Sequence, residues 1–199
     1  MSPKKKSLET YTKKRDFTLT PEPSGKKVKK NREPIFVVQK HDASHLHYDF
    51  RLEIDGVLVS WAIPKGPSTN PEEKHLAIMT EDHPLDYATF EGIIPEGQYG
   101  GGTVMVWDLG TYVNWKQEYG ISMQQAVENG KIEIELHGKK LQGSYALIRT
   151  KLHNEKRNWL FFKMKEGGKK KAVKYNEKSV LTNRTLNQIA QEKTKKENL

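Results

Sequence analysis

Between His45 and Ile54 the chain alternates without a break: His45, His47, Asp49, Arg51 and Glu53 interleave with Leu46, Tyr48, Phe50, Leu52 and Ile54. In an extended strand successive side chains leave opposite faces, so one set points one way and the other set the opposite way. The segment is a strand with an apolar face that must be buried and a face carrying a continuous row of polar, mostly ionisable groups. His41, a little upstream, has the same parity. A charged row on an exposed strand is often merely solvated. This one contains two histidines and a carboxylate, a set that hard-to-borderline divalent metals accept, and beside it an arginine suited to an anionic ligand of such a metal.

The rest of the chain agrees with a sheet. Segments Ile35 to Gln39, Val57 to Ala62, Leu76 to Thr80, Thr103 to Trp107, Gly110 to Asn114, Lys131 to Leu136, Ser144 to Thr150 and Trp159 to Lys165 are short and rich in β-branched, aromatic and alternating residues. Asp55-Gly56 and Asp108-Leu109-Gly110 read as hairpin turns. The spacing predicts a helix over Ser122 to Asn129, capped by Ser122 and ended by Gly130, and another from Thr182 to Lys193. Many short strands without a βαβ rhythm point to a mainly β fold, an antiparallel barrel or sandwich. The run Gly92 to Gly102 is too rich in glycine for regular structure and lacks the Gly-Lys-Ser/Thr of a phosphate loop, so it reads as a tight loop.

Charge is unevenly distributed along the 199 residues. Residues 1–32 hold 11 Lys/Arg against 3 acids, residues 163–199 hold 11 against 4, and the middle holds 12 against 18. The body is mildly acidic and both tails are basic, able to contact phosphates without sequence preference. Composition divides the chain into a mostly flexible arm at 1–33, a barrel domain at 34–166 and a basic tail at 167–199. Within the arm, Phe17 and Leu19 are the apolar residues available to dock it. With no cysteine, zinc-thiolate sites, disulfides and thiol catalysis are excluded. No run approaches the roughly 20 apolar residues of a membrane span, and the first residues lack the apolar core of a signal peptide. A soluble, cytoplasmic monomer is the expectation.

A second constellation follows the apolar strand around Ile78: Glu81-Asp82-His83-Pro84-Leu85-Asp86-Tyr87. His83 and Tyr87 are candidates to hydrogen-bond a phosphoryl group, and Glu81 to orient a metal-bound histidine or an arginine. Lys65, in a loop stiffened by proline and glycine, is placed to reach a phosphate. His137 and His153 have no partners in sequence and read as structural or surface residues.

These stretches resemble a known family. Phe36-Val37-Val38-Gln39-Lys40-His41-Asp42-Ala43-Ser44-His45-Leu46-His47-Tyr48-Asp49-Phe50-Arg51-Leu52-Glu53, then Glu81 to Tyr87 and Gly92-Ile93-Ile94-Pro95-Glu96-Gly97-Gln98-Tyr99-Gly100, are similar to the 3′-phosphoesterase domain of bacterial DNA ligase D. The likeness runs from about Arg15 to about Met164 and implies a free-standing version, without ligase or polymerase modules. It implies a compact antiparallel β-barrel holding manganese, or cobalt or zinc in its place, on His41, His47 and Asp49. It also implies that Arg51, Lys65, His83 and Tyr87 engage the phosphate, that Glu81 supports them, and that Asp16 and Glu22 assist from the arm. One departure is His75, at a position where those domains carry arginine, which bears on phosphate binding there. The implied substrates are DNA or RNA–DNA 3′ ends, with a ligase or polymerase acting next. Two rival readings remain from the residues alone. One is a non-haem iron oxygenase using His47, Asp49 and His83, and the other a non-enzymatic β-barrel that binds nucleic acid through its tails.

Overall fold

A computed structural model describes residues 8–25, 33–150, 156–165 and 175–192. Among the described residues nine strands form one antiparallel sheet: β1 (Ile35–Asp42), β2 (Leu46–Ile54), β3 (Val57–Ile63), β4 (His75–Met79), β5 (Gly92–Ile94), β6 (Gly102–Asn114), β7 (Lys131–Gly138), β8 (Gln142–Arg149) and β9 (Asn158–Lys163). Their order is β1-β2-β3-β4-β9-β8-β7-β6-β5, and β1 also pairs with β6. That last pairing closes eight strands into a barrel and leaves β5 as an additional strand on β6. Three short α-helices accompany it among the described residues: α1 (Glu9–Lys13), α2 (Met123–Asn129) and α3 (Leu186–Ala190). The Ser122 cap is present as a full capping box and Gly130 ends α2 in the left-handed conformation. No helix among the described residues is long and apolar enough to cross a membrane.

The turn expected at Asp108-Leu109-Gly110 does not exist. These residues lie inside the 13-residue strand β6, where the ladder with β1 slips between Val38 and Gln39 and leaves Trp107 unmatched as a bulge. Beyond it the ladder with β1 resumes from Asp108 to Thr111, and from Gly110 onward β6 also pairs with β7 on its other side. The irregularity in sequence was real, but it marks a barrel corner rather than a reversal. A Cβ at Gly110 would stand 2.2 Å from the His137 carbonyl oxygen, so only glycine lets the two strands approach there. The buried Asp108 carboxylate fixes the corner by accepting backbone N–H groups from Leu109, Lys140 and Leu141. The glycine-rich run was also not loop throughout, since its first three residues form β5 against Gly102, Thr103 and Val104.

Strand parity divides the buried side chains into two layers. Phe36 and Val38 of β1, Phe50 and Leu52 of β2, Trp61 of β3, Tyr145 of β8 and Trp159 and Phe161 of β9 fill the barrel. The residues between them point outward, and there Val37, Leu58, Val104 and Val106 form a second apolar cluster with Tyr11, Tyr87 and Phe90. A roof therefore covers one outer wall of the barrel. It consists of the arm 8–25 and the 3₁₀ turn Leu85–Thr89. Tyr11 anchors the arm: it is 1% exposed and donates its hydroxyl hydrogen to the Pro23 carbonyl. Phe17 packs beside it, whereas Leu19 is exposed and does not dock. The C-terminal segment returns over the barrel, burying Ile189 of α3 in the main core. Residues 1–7, 26–32, 166–174 and 193–199, on which much of the expected flexibility fell, lie outside the described residues, as do His153 and the expected helix end at Lys193.

Candidate metal centre

The outward face of β1 and β2 under this roof carries the polar row. Register places His41 directly opposite His47 and Gln39 opposite Asp49, so one carboxylate meets two imidazoles without any loop having to fold back. Asp49 Oδ2 lies 3.7 Å from His41 Nδ1, and its Oδ1 lies 3.7 Å from His47 Nε2. One ligand atom from each of the three residues falls within 4.8 Å of the others.

The hydrogen bonds fix which nitrogens face inward. His41 Nε2 donates to the Gly100 carbonyl at 2.9 Å, and His47 Nδ1 donates to the His45 carbonyl at 2.8 Å. A carbonyl can only accept, so each ring keeps its proton on the outer nitrogen and leaves the lone pair of the other toward Asp49. This is the arrangement that metal-binding imidazoles use. A nitrogen-and-oxygen donor set of this kind suits manganese, cobalt or zinc. The ends of the alternating row are excluded from the cradle. His45 precedes β2 and is exposed, while Glu53 accepts the backbone N–H of Ile35.

Arg51 is the hub of the wall, with 3% of its surface exposed. Its Nε donates to Gln39, one terminal nitrogen donates to Ser60 and approaches His83 Nδ1 at 2.9 Å, and the other donates to Asp49 at 3.0 Å. Three of its five N–H groups are thus held by Gln39, Ser60 and Asp49, while His83 Nδ1 donates its own hydrogen to the Glu81 carbonyl at 2.9 Å. Burial pushes the Asp49 carboxyl up, but the Arg51 guanidinium beside it holds it well below the usual carboxylate range. Asp49 stays ionised and ready to ligate.

His83 reaches this wall because its backbone forms a two-bond bridge with Leu58. A second guanidinium, that of Arg15, approaches its Nε2 at 3.4 Å. Burial and then the charges of Arg51 and Arg15 hold the imidazole well below its ordinary value of 6.5. The ring is neutral at neutral pH. Arg15 in turn donates to Glu22 at 2.8 Å and to Glu81 at 3.4 Å, and Tyr87 donates to Glu22 at 3.1 Å. Burial raises the Tyr87 hydroxyl well above its ordinary range, which keeps it a donor.

His41, His47, Asp49, Arg51, Glu81, His83, Tyr87 and Glu22 are therefore brought into one connected network. Asp16, Lys65 and His75 are not in it. Asp16 is turned outward and accepts from the Thr18 N–H and hydroxyl. Lys65 is exposed in the loop after β3, and the His75 ring donates to the Gly66 carbonyl and faces Glu73. Three members of the network, Arg15, Gln39 and Ser60, were not singled out from sequence. Gln39 shares the parity of His41, is fully buried, and joins Arg51 to the carbonyls of Tyr87 and Phe90. A glutamine closing an apolar strand was its signal.

The region from Gln39 to Arg149 matches the model of the DNA ligase D 3′-phosphoesterase domain. The chain belongs to this family. Among curated relatives of this phosphoesterase family member, the multifunctional non-homologous end joining protein LigD of Pseudomonas aeruginosa is 47% identical over 191 residues, 92% of this chain and 22% of that protein. Its counterpart in Mycobacterium tuberculosis is 46% identical over 171 residues, covering 85% of this chain and 21% of the relative. The phosphoesterase chain thus spans about a fifth of the length of the curated relatives it matches.

A pH dependence follows from the buried groups. His83, once unfolded, binds a proton below its ordinary value of 6.5 but resists one in the fold, so acid favours the unfolded chain from that point downward. Asp49 adds stability that is complete above its ordinary 3.8 and is lost as pH falls below it. The melting temperature of metal-free protein should decline in two stages, the first beginning near pH 6.5. In His83→Gln protein that first stage should shrink, which thermal scans across pH 4–8 would show.

Proposed function

We propose that this protein is a metal-dependent 3′-phosphoesterase that heals nucleic-acid 3′ ends, removing a terminal ribonucleoside to leave a 3′-phosphate and then removing the phosphate to leave a 3′-hydroxyl. The observation that carries this reading is the joining of a three-residue cation cradle to a buried guanidinium, at the 3.0 Å contact between Asp49 and Arg51. A divalent cation beside fixed cationic donors is the equipment of phosphoryl transfer, where charge must be stabilised on phosphoryl oxygens. His41, His47 and Asp49 would hold manganese, or cobalt or zinc, and the ion would supply Lewis-acid polarisation of the phosphoryl group.

The chain's own groups do the rest. Arg51 keeps Asp49 ionised and aimed at the cradle. Neutral His83 and the protonated Tyr87 hydroxyl offer hydrogen bonds without adding charge, and Arg15 adds positive potential from the roof. Glu22 and Glu81 hold Arg15 in place. Water attacks phosphorus in both steps, expelling the 5′-hydroxyl of the terminal ribonucleoside in the first and the 3′-hydroxyl of the chain end in the second. The substrates are DNA or RNA–DNA 3′ ends, and a ligase or polymerase takes up the healed end, in keeping with relatives named as end-joining proteins. The oxygenase reading is disfavoured because His83 stands between two guanidiniums, outside the cluster of metal-ligand atoms.

The test combines metal analysis of the purified protein with release of phosphate from a recessed 3′-phosphate duplex. Stoichiometric divalent metal and turnover that chelation stops and manganese restores are expected. A metal-free protein that binds such duplexes without turnover would replace this reading with the non-enzymatic one.

The basic tails should contribute to holding long duplexes. Deleting residues 1–7 and 193–199 removes Lys4, Lys5, Lys6, Lys193, Lys195 and Lys196, yet spares Leu8 and Ile189, which pack on the core. The slope of log K against log salt should fall by about 0.9 per lost phosphate contact, while turnover of a chromogenic phosphodiester stays unchanged. Equal slopes for both proteins would make the tails solubilising appendages.

A further inference from the structure

Tyr48 stands between His47 and Asp49 in β2 but leaves the opposite face of the strand, into the mouth of the barrel. There it walls a cavity of about 330 Å³ together with Trp107, Tyr175, Lys65, Glu73 and Glu177. The Tyr48 and Tyr175 rings both stand nearly perpendicular to the Trp107 ring, at 87° and 84°, with centroids 5.6 and 6.0 Å away. The result is a slot with an aromatic floor and aromatic sides. The loop that borders it lies directly on Tyr48. Gly66 has φ +73°, and a Cβ on it would stand 2.9 Å from the Tyr48 ring, so only glycine allows so close an approach.

The slot's three rings suit a ligand with a flat body, and its rim carries two carboxylates and one lysine. Glu73 accepts from Ser68 and Asn70, and Glu177 accepts from Lys40 and Tyr48. Both carboxylates are engaged, whereas Lys65 makes no ion pair among the described residues and is exposed at the rim. The slot also lies close to the cradle along the chain. Tyr48 is paired with Ile63, the last residue of β3, and His47 is the second residue of β2, so both sites are at the same end of the barrel.

We propose that this slot receives the base of the 3′-terminal nucleotide, so that a phosphate at the cradle and its own base straddle the barrel rim, with Lys65 beside the connecting backbone. The proposal rests on the phosphoesterase reading and specifies how that site selects a nucleic-acid end over a simple phosphate ester. Stacking on aromatic rings tolerates any base, since every base has a π-face, so the slot confers preference for nucleotides without preference among sequences.

The test uses full-length protein and two oligonucleotides ending in a 3′-phosphate, identical except that one is abasic at its terminal nucleotide. Affinities are read by fluorescence anisotropy in metal-free buffer, and turnover separately with manganese. Wild-type protein should bind the base-bearing end about 5- to 150-fold more tightly, the range expected for one stacked base. Tyr175→Ala should reduce that ratio to near one, chiefly by weakening the base-bearing complex, and Tyr175→Phe, which keeps the ring, should restore it. A wild-type ratio of one overturns the proposal, as does a Tyr175→Ala protein that keeps the wild-type ratio or weakens both oligonucleotides equally. Base-dependent binding without turnover on either oligonucleotide would instead leave the slot standing and remove the phosphoesterase reading.

Discussion

Asp49→Asn protein, dialysed against manganese and then passed through a desalting column, is expected to retain no metal and to lose hydrolysis of 3′-phosphate ends. Loss of a residue that only supports a metal ligand costs about 10- to 100-fold in affinity or activity. Removal of the sole carboxylate of the cradle should exceed that range, because two neutral imidazoles remain and neither supplies negative charge. Asparagine is the informative replacement. Alanine would leave the Arg51 guanidinium, 3% exposed, without its charged partner, and breaking a buried pair costs about 3–5 kcal/mol. With asparagine the amide oxygen still accepts from Arg51, so circular dichroism should show an intact β-fold beside an empty metal assay. His41→Ala and His47→Ala should behave alike, since each ring is otherwise held only by a backbone carbonyl. Full manganese-dependent turnover in any of the three would refute the assignment of the cradle.

Tyr11→Ala should produce the largest loss of stability of any single change in the arm, and should do so without emptying the cradle. Its ring is buried in the outer cluster, meets His83 and Tyr87 edge-on at 5.1 and 6.1 Å, and supports the Arg15 guanidinium 3.9 Å above it. Truncating a buried aromatic costs about 3–5 kcal/mol, which for a chain of this size lowers the melting temperature by roughly 6–20 °C. Turnover should fall as well, because Arg15, Glu22 and Tyr87 lose their common support. Metal retention should persist, because His41, His47 and Asp49 are fixed by the β1–β2 ladder rather than by the roof. Tyr11→Phe, which loses only the hydrogen bond to Pro23, should cost about 1 kcal/mol. Unchanged melting of Tyr11→Ala would show that the arm is not docked in solution.

How far the sequence disclosed this arrangement depended on how local each constraint was. The cradle was legible because strand periodicity alone sorts His47, Asp49 and Arg51 onto one face, and His41 needed only the same parity on a neighbouring strand. The Asp55-Gly56 turn and the α2 caps were legible for the same reason. Long-range constraints were not. Nothing near Arg15 indicates that its guanidinium meets an imidazole 68 residues away, and Tyr11 lies in a stretch whose composition suggests little order. Asp108-Leu109-Gly110 misled because turn residues also serve wherever a strand bends, and only ring closure with β1 and β7 shows which use applies. Asp16 offers a local alternative, the Asx-type bonds to Thr18, and that alternative is the one the chain adopts.

The β1–β6 pairing bears on how such a unit sits among others. A ring of eight strands leaves few unsatisfied backbone groups for a foreign strand to join, and the additional strand on β6 is only three residues long. The unit is thus self-contained at the level of its sheet. It can travel within long polypeptides, as in relatives of which it matches about a fifth, without recruiting the sheets of its neighbours, and its orientation to them is left to linkers and surface contacts.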